Sequence, residues 1–521
     1  MTSWQHYDIP SLDHIEKVRT AAASVAPETP PPSPVKSGAR PARAVILTSG
    51  GQAMAMATGG LMAILLATRF RGSSATDGFF AAYSVYGLVL LVAQSTRLTV
   101  VPRLIGGPAR YTEFDRYLCA IGVLWIGLGV VFVALGGPLA SLLTGTSAAR
   151  STARDAFLVL WPAAGAQLVA ALGAAMLGVL GSYGHAAAGY VAGSLASVGA
   201  FVALADPLGI NSVAVALLIG ALVTATPVLW SLLRRRWRPP LRGAADGTER
   251  RAALILLGAA SVAAPQLLYV IGVAAAASLG SGTQTAFSYG FAGVQVLVSV
   301  LAGSVSIVAA APIAASWDRD PRSLGGSIER GFRLAVLILV PCIAAVALIG
   351  SDVAGRLLSG FSSSEVRAVI SSFFALSPLI LAAQASAIPL VALYALHRHA
   401  AVTSLAIGAA ALQIVLATGA VAVGGIVTLG VATSISSLAF AAGLYVLLYG
   451  CRLAIREGFR RIIDVISVGV PAAACFVAPS ILGVGKGLTL VIGLVLLAPL
   501  LVSRALRRRD PSAEAARPEG P

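Results

Sequence analysis

Apolar runs of about 17 to 25 residues recur along most of the chain, and a run of that length crosses a hydrocarbon core of about 30 Å as one helix. The runs are continuous and do not alternate with a period of two, so they predict helices and not the strands of a barrel. Only 11 % of residues are charged, against about 25 % in an ordinary soluble domain, while 57 % are hydrophobic. The sequence therefore predicts an all-α polytopic membrane protein.

Fourteen spans are expected, near residues 45–68, 78–101, 118–136, 156–180, 187–205, 212–233, 253–279, 285–312, 331–350, 369–396, 400–423, 426–449, 463–483 and 487–505. The distribution of basic residues tests this count. With both ends in the cytoplasm, 29 of the 37 lysines and arginines fall on inner segments and seven on outer ones, with Arg97 inside the second span. That bias matches the positive-inside rule, and it reads the net charge of +16 as a topology signal and as a surface for anionic lipids at the cytoplasmic loops. The basic residues form no aromatic-studded patch, so no nucleic-acid partner is expected.

The chain also resembles itself. HAAAGYVAGSLASVGAFVAL from His185 is echoed by HAAVTSLAIGAAALQIVLAT from His399, LWP at Pro162 by LSP at Pro378, and SSATDGFF by SGTQTAFS, which aligns Thr76 with Thr283 and Asp77 with Gln284. Three anchors in one order at nearly one offset predict two six-helix lobes, and an even number of helices per lobe makes them parallel copies about an axis along the membrane normal. The domain reading is a disordered cytoplasmic tail 1–44 containing APETPPPSPVK, a first lobe 45–233, a basic linker 234–252, a second lobe 253–449, two extra spans in 450–505 and a cytoplasmic tail 506–521.

Polar side chains inside spans are costly unless partnered, so they mark candidate sites. Arg97 reads either as a snorkelling residue near Pro102 or as an anion contact in a central cavity. Gln94, Gln266, Tyr269, Tyr289 and Gln295 read as cavity lining, with interhelical bonding as the alternative for each glutamine, as for Gln167, Gln384 and Gln413. Asp77 reads as the N-cap of the second span, or as the partner of Arg69 in an outer gate. No carboxylate pair, HExxH, Ser/His/Asp set or nucleotide-binding loop is found in any span, so neither enzyme nor cofactor is expected. Cys119, Cys342, Cys451 and Cys475 are scattered, and His185, His397 and His399 lack metal-ligand spacing, so no metal is expected.

The stretch ATRFRGSSATDGFFAAY, from Ala67 to Tyr83, resembles the ARxFG...ATDAFF element of the MurJ/MviN lipid II flippases, a family of the multidrug, oligosaccharidyl-lipid and polysaccharide exporter superfamily. Arg69, Gly72, Ala75, Thr76, Asp77, Phe79 and Phe80 match it, and Gln266, the GSG around Ser281, Tyr289, Pro312 and Tyr394 fall at similar spacing. The resemblance implies a V-shaped, alternating-access flippase of the bacterial inner membrane, serving peptidoglycan and cell-wall biogenesis. Its substrate would be an undecaprenyl-pyrophosphate-linked glycan, turned from inner to outer leaflet. Flippases of this kind carry arginines along span 1 and an acidic and basic cluster in span 8. Here span 1 reads GGQAMAMATGGLMAILLA without a charge, and Gln295 stands where an acid is expected in span 8. Arg97 and Arg69 are then left to meet a diphosphate. A multidrug or metabolite antiporter of the same fold and a non-transporting envelope scaffold are the alternatives.

Overall fold

The computed structural model describes residues 54, 58–105, 110–180, 182–235, 237, 247–298, 343, 346, 350, 352–356, 358, 361–395 and 398–450. Both tails, spans 13 and 14, most of span 9 and the second part of span 8, with Pro312, lie outside them, and so do the fourteen-span count and His397. Among the described residues every regular element is a helix. Chain order gives α1 (Thr58–Phe70), α2 (Ser74–Ile105), α3 (Arg110–Ala134), a short α4 (Gly136–Leu143), α5 (Ser147–Val179), α6 (Tyr183–Leu208) and α7 (Asn211–Arg234). After the connection come α8 (Thr248–Val262), α9 (Ala264–Ala276), α10 over residues 283–298, α11 (Ser363–Leu376), α12 (Pro378–Ala395), α13 (His399–Val423) and α14 (Ile426–Tyr449).

Among the described residues eight spans are long and apolar enough to cross a membrane, α2, α3, α5, α6, α7, α13, α14 and the stretch Ser363–Ala387 that runs through α11 into α12, and nine if α8 and α9 form one span bent by 68°. Their surfaces are apolar where a soluble protein would be polar. On α3 the exposed residues include Val123, Ile126, Val130 and Val133, and on α13 Ile407, Ile414 and Val415. Such continuous apolar faces suit lipid and would be aggregation sites in water.

One break was not visible in the apolar pattern. Residues 253–279 read as one helix, but the chain bends at Ala263, one residue before the helix that carries Pro265 near its start. The ring removes a donor and clashes with the preceding turn, which the bend relieves. Within 369–396 a single irregular turn at Ser377 separates α11 from α12, yet Ser363–Ala387 runs on as one span, and Pro162 lies inside the unbroken α5. The third span starts at Arg110, eight residues before its expected start, because the polar YTEFDRY segment is already helical. The expected linker 234–252 is shortened from its far end by α8, which begins at Thr248.

Helices up to α7 pack mainly with one another, as α2 with α5, α5 with α7 and α6 with α7; α12 and α13 pack likewise with α14, while α8 packs on α2 and α3 as well as on α13. Small residues make close approach possible within the first set, where Ala163, Ala164, Gly165, Ala170 and Ala171 of α5 are buried. Trp125 of α3 and Trp161 of α5 stack with ring centres 5.2 Å apart and planes 20° from parallel. Each indole N–H donates to the other residue's carbonyl, at 3.2 and 2.9 Å, and each ring lies over a glycine of the facing helix, Gly165 or Gly129. The two sets of helices meet along one seam, where α2, α3 and α4 face α8 and α9.

Candidate functional site

The seam begins with a turn that only glycine accommodates readily. Gly280 and Gly282 have φ of +117° and +80°, and they bring the chain out of α9 into α10 with the first amides of α10 facing α2. Asp77 of α2 receives those amides. Its carboxylate accepts the Gly282 N–H at 2.7 Å, the Thr285 N–H at 2.8 Å and the Thr285 hydroxyl at 2.6 Å, and the side chain is only 4 % exposed. A carboxylate against the positive end of a helix with three donors is a strong, charge-assisted cap.

This arrangement corrects both readings of Asp77. It does not cap its own helix, because α2 starts at Ser74 and its first turn is served by Ser73, whose hydroxyl accepts the Thr76 N–H at 3.2 Å. Nor does it pair with Arg69, which instead makes an exposed ion pair with Asp206 at the end of α6. Asp77, Glu113 and Asp115 precede the expected spans 78–101 and 118–136 but lie inside helices, Asp77 in α2 and the other two in α3, because both helices start earlier than the apolar runs.

Two glutamines reinforce the same seam. Gln284, next to Thr285, donates to the Leu143 carbonyl of α4 at 2.6 Å and to the Val273 carbonyl of α9 at 2.9 Å. Gln266 of α9 donates to the Ser84 carbonyl of α2 at 3.0 Å, and its amide fills the space that a side chain at Gly87 would take. At Gly145 a Cβ would stand 2.6 Å from the Ala277 carbonyl, so glycine is again what allows contact.

Aromatic rings fill the rest. Tyr289 of α10 packs edge-on against Phe80 of α2 at 5.2 Å and Phe361 at 6.0 Å, and among the described residues its buried hydroxyl has no hydrogen-bond partner. Tyr269 stacks on Phe291 at 4.1 Å and donates to the Ser288 hydroxyl at 2.9 Å.

Asp77, Gln266, Tyr269 and Tyr289 are thus brought together, and Gln295 lies one helical turn and more beyond Tyr289 on α10. Gln94 and Arg97 belong to α2, but their side chains lie outside the described residues. Arg69 stands apart from this group. Gln413 donates to the Thr433 hydroxyl at 2.9 Å inside the second set, and Gln384 is buried there with neither polar atom partnered. The reading missed Gly282, Thr285 and Gln284 as seam residues. The signal was present: sliding the internal alignment by one residue sets Asp77 opposite Thr285 instead of Gln284. Among the described residues no group of His, Cys, Asp and Glu could hold a metal ion.

Two sets of membrane-spanning helices joined along one polar seam define a multi-pass transporter fold, and solved transporters share it. A eukaryotic MATE transporter superposes with a TM-score of 0.60 at 14 % identity, covering 81 % of this chain and 99 % of its own. An outward-facing multidrug resistance MATE family transporter of the MOP superfamily gives 0.58 at 15 %, covering 82 % and 97 %. The structure titled lipid II flippase MurJ, inward closed conformation, gives 0.71 at 13 %, covering 89 % and 99 %. The sequence matches the family model of lipid II flippase MurJ over residues 67–494, and the chain belongs to that family. No curated protein sequence matches it.

Proposed function

We propose that this protein flips an undecaprenyl-pyrophosphate-linked glycan from the inner to the outer leaflet by alternating access between two six-helix lobes. In this reading both termini are cytoplasmic, the Asp77 end of the seam is the outer gate, and spans 13 and 14 stand outside the repeat. The observation that carries it is the Asp77 cap, which ties α2 of one set to α10 of the other through three hydrogen bonds where both helices begin. Such a contact holds one end of a cavity shut, and it breaks cleanly because both partners sit on rigid helices.

Family membership supports a lipid-linked precursor as cargo. Arg97 would meet the diphosphate, with Gln94 and Gln295 as neutral donors. Gln266, Tyr269 and Tyr289 serve the seam when it is shut and turn to the headgroup when it parts. The MATE likeness favours a second reading, a multidrug or metabolite antiporter. Depletion of the native lipid II flippase in a bacterium carrying this chain separates them. Restored growth and outer-leaflet lipid II, lost again with Arg97→Ala, are expected; failure to rescue at full membrane expression overturns the lipid II reading.

A further inference from the structure

At the end of the seam far from Asp77, a five-residue segment at the start of α3, Glu113–Tyr117, touches both ends of the connection between the two sets of helices. On one side is Trp237, just past α7. Its indole N–H donates to Asp115 at 2.7 Å, its ring packs edge-on against Phe114 at 5.3 Å, and its backbone N–H is bonded to the Leu232 carbonyl at 3.3 Å. Trp237 therefore belongs to the first set. On the other side is Arg251, in the first turn of α8, the helix that follows the connection and packs on α2 and α3 on one side and on α13 on the other. Its guanidinium clasps Glu113 with two parallel bonds, Nε to Oε1 at 3.1 Å and Nη2 to Oε2 at 2.9 Å, and lies over the Tyr117 ring at 5.9 Å.

Glu113 has a second cation within reach. Arg116, on its own helix, already pairs with it more loosely, Nη1 3.6 Å from Oε2, and among the described residues Arg116 Nε is buried with no hydrogen-bond partner. If Arg251 withdraws, the carboxylate keeps this second guanidinium and is never left uncompensated, which is the condition for a contact between sets of helices to open at small cost. The side chains of Arg251 and Glu113 are 15 % and 23 % exposed, so water reaches the pair.

The geometry points to Glu113–Tyr117 as a latch: Asp115 and Phe114 hold Trp237 at the end of α7, while Glu113 is shared by Arg251 and Arg116 with the seam shut at this end and turns wholly to Arg116 with it open. The inference rests on the alternating-access reading only for the lobes' movement relative to each other. Its test needs no substrate, so failure of a flipping assay and failure of the latch are distinct results.

The test is a spin-label distance across this end, on Thr112→Cys and Glu249→Cys, both exposed, in lipid nanodiscs, with Cys119, Cys342, Cys451 and Cys475 replaced by alanine. Glu113→Gln, which keeps the side-chain volume, and Arg251→Gln are each expected to raise the long-distance population about fivefold, the scale of a partly exposed bidentate pair. Arg116→Gln lowers it, because the open state loses its partner. The exchanged pair Glu113→Arg with Arg251→Glu returns the distribution toward the parent. An unchanged distribution in the single variants, or an Arg116→Gln variant that opens like the others, overturns the latch. Matching circular dichroism and elution volume of every variant remove misfolding as an explanation.

Discussion

The two ends of the seam are built from different chemistry. At the Asp77 end a short, buried carboxylate meets backbone amides and a hydroxyl fixed by a helix start, with glycines on both sides of the contact. At the Glu113 end two long side chains meet in partial contact with water. A buried acid with pre-set donors loses its whole desolvation cost when the donors leave, whereas an exposed pair recovers most of its energy from water. The first end is therefore stiff and all-or-none, and the second is soft and gradual.

The largest expected effect comes from Asp77→Ala, which leaves two amides and a hydroxyl buried without an acceptor and weakens that contact by about 2–4 kcal/mol. Alkylation of a cysteine placed at Thr283, half-buried at the start of α10, will rise accordingly, and Asp77→Asn will fall between parent and alanine. Next comes Gly87→Val, whose side chain must displace the Gln266 amide at a cost of about 1–3 kcal/mol, read as a lower thermal midpoint in detergent. Gln284→Leu removes two donated bonds, worth about 1–2 kcal/mol, with the same readout. Raising salt toward 1 M sharpens the contrast: the spin-label distance at the Glu113 end will broaden, and alkylation at the Asp77 end will not change, because a Debye length of about 3 Å screens only solvent-reached charge. The smallest structural effect belongs to Tyr289→Phe, which deletes a hydroxyl with no partner among the described residues and leaves the thermal midpoint within error. A drop in flipping by that variant at unchanged stability marks Tyr289 as a substrate contact.

The membrane class and the family were legible because they rest on long runs and on one compact motif, ATDGFF. The partners of that motif were not. Asp77 was visible as a capping residue, but its helix lies 205 residues away, and a carboxylate's reach across a tertiary contact leaves no local periodicity. The same holds for Arg251 and Glu113, 138 residues apart, which read as ordinary topology charges. The chain bends at Ala263 in a stretch whose hydrophobicity runs straight through, because hydropathy registers side chains and not backbone direction. Gln266 was flagged for its polarity, and its true role depended on Gly87, which carries no side chain to notice.

The stacked indoles of Trp125 and Trp161 have an optical consequence. Two chromophores 5.2 Å apart and nearly parallel couple in their excited states, and the chain holds only six tryptophans. Their near-ultraviolet circular dichroism reports whether α3 is docked on α5, because such signals vanish when aromatic packing is lost. The protein thus carries a native spectroscopic gauge of its first set of helices, isolated from the seam by the difference between the parent and a Trp161→Phe variant, against which any opening of the two ends can be calibrated.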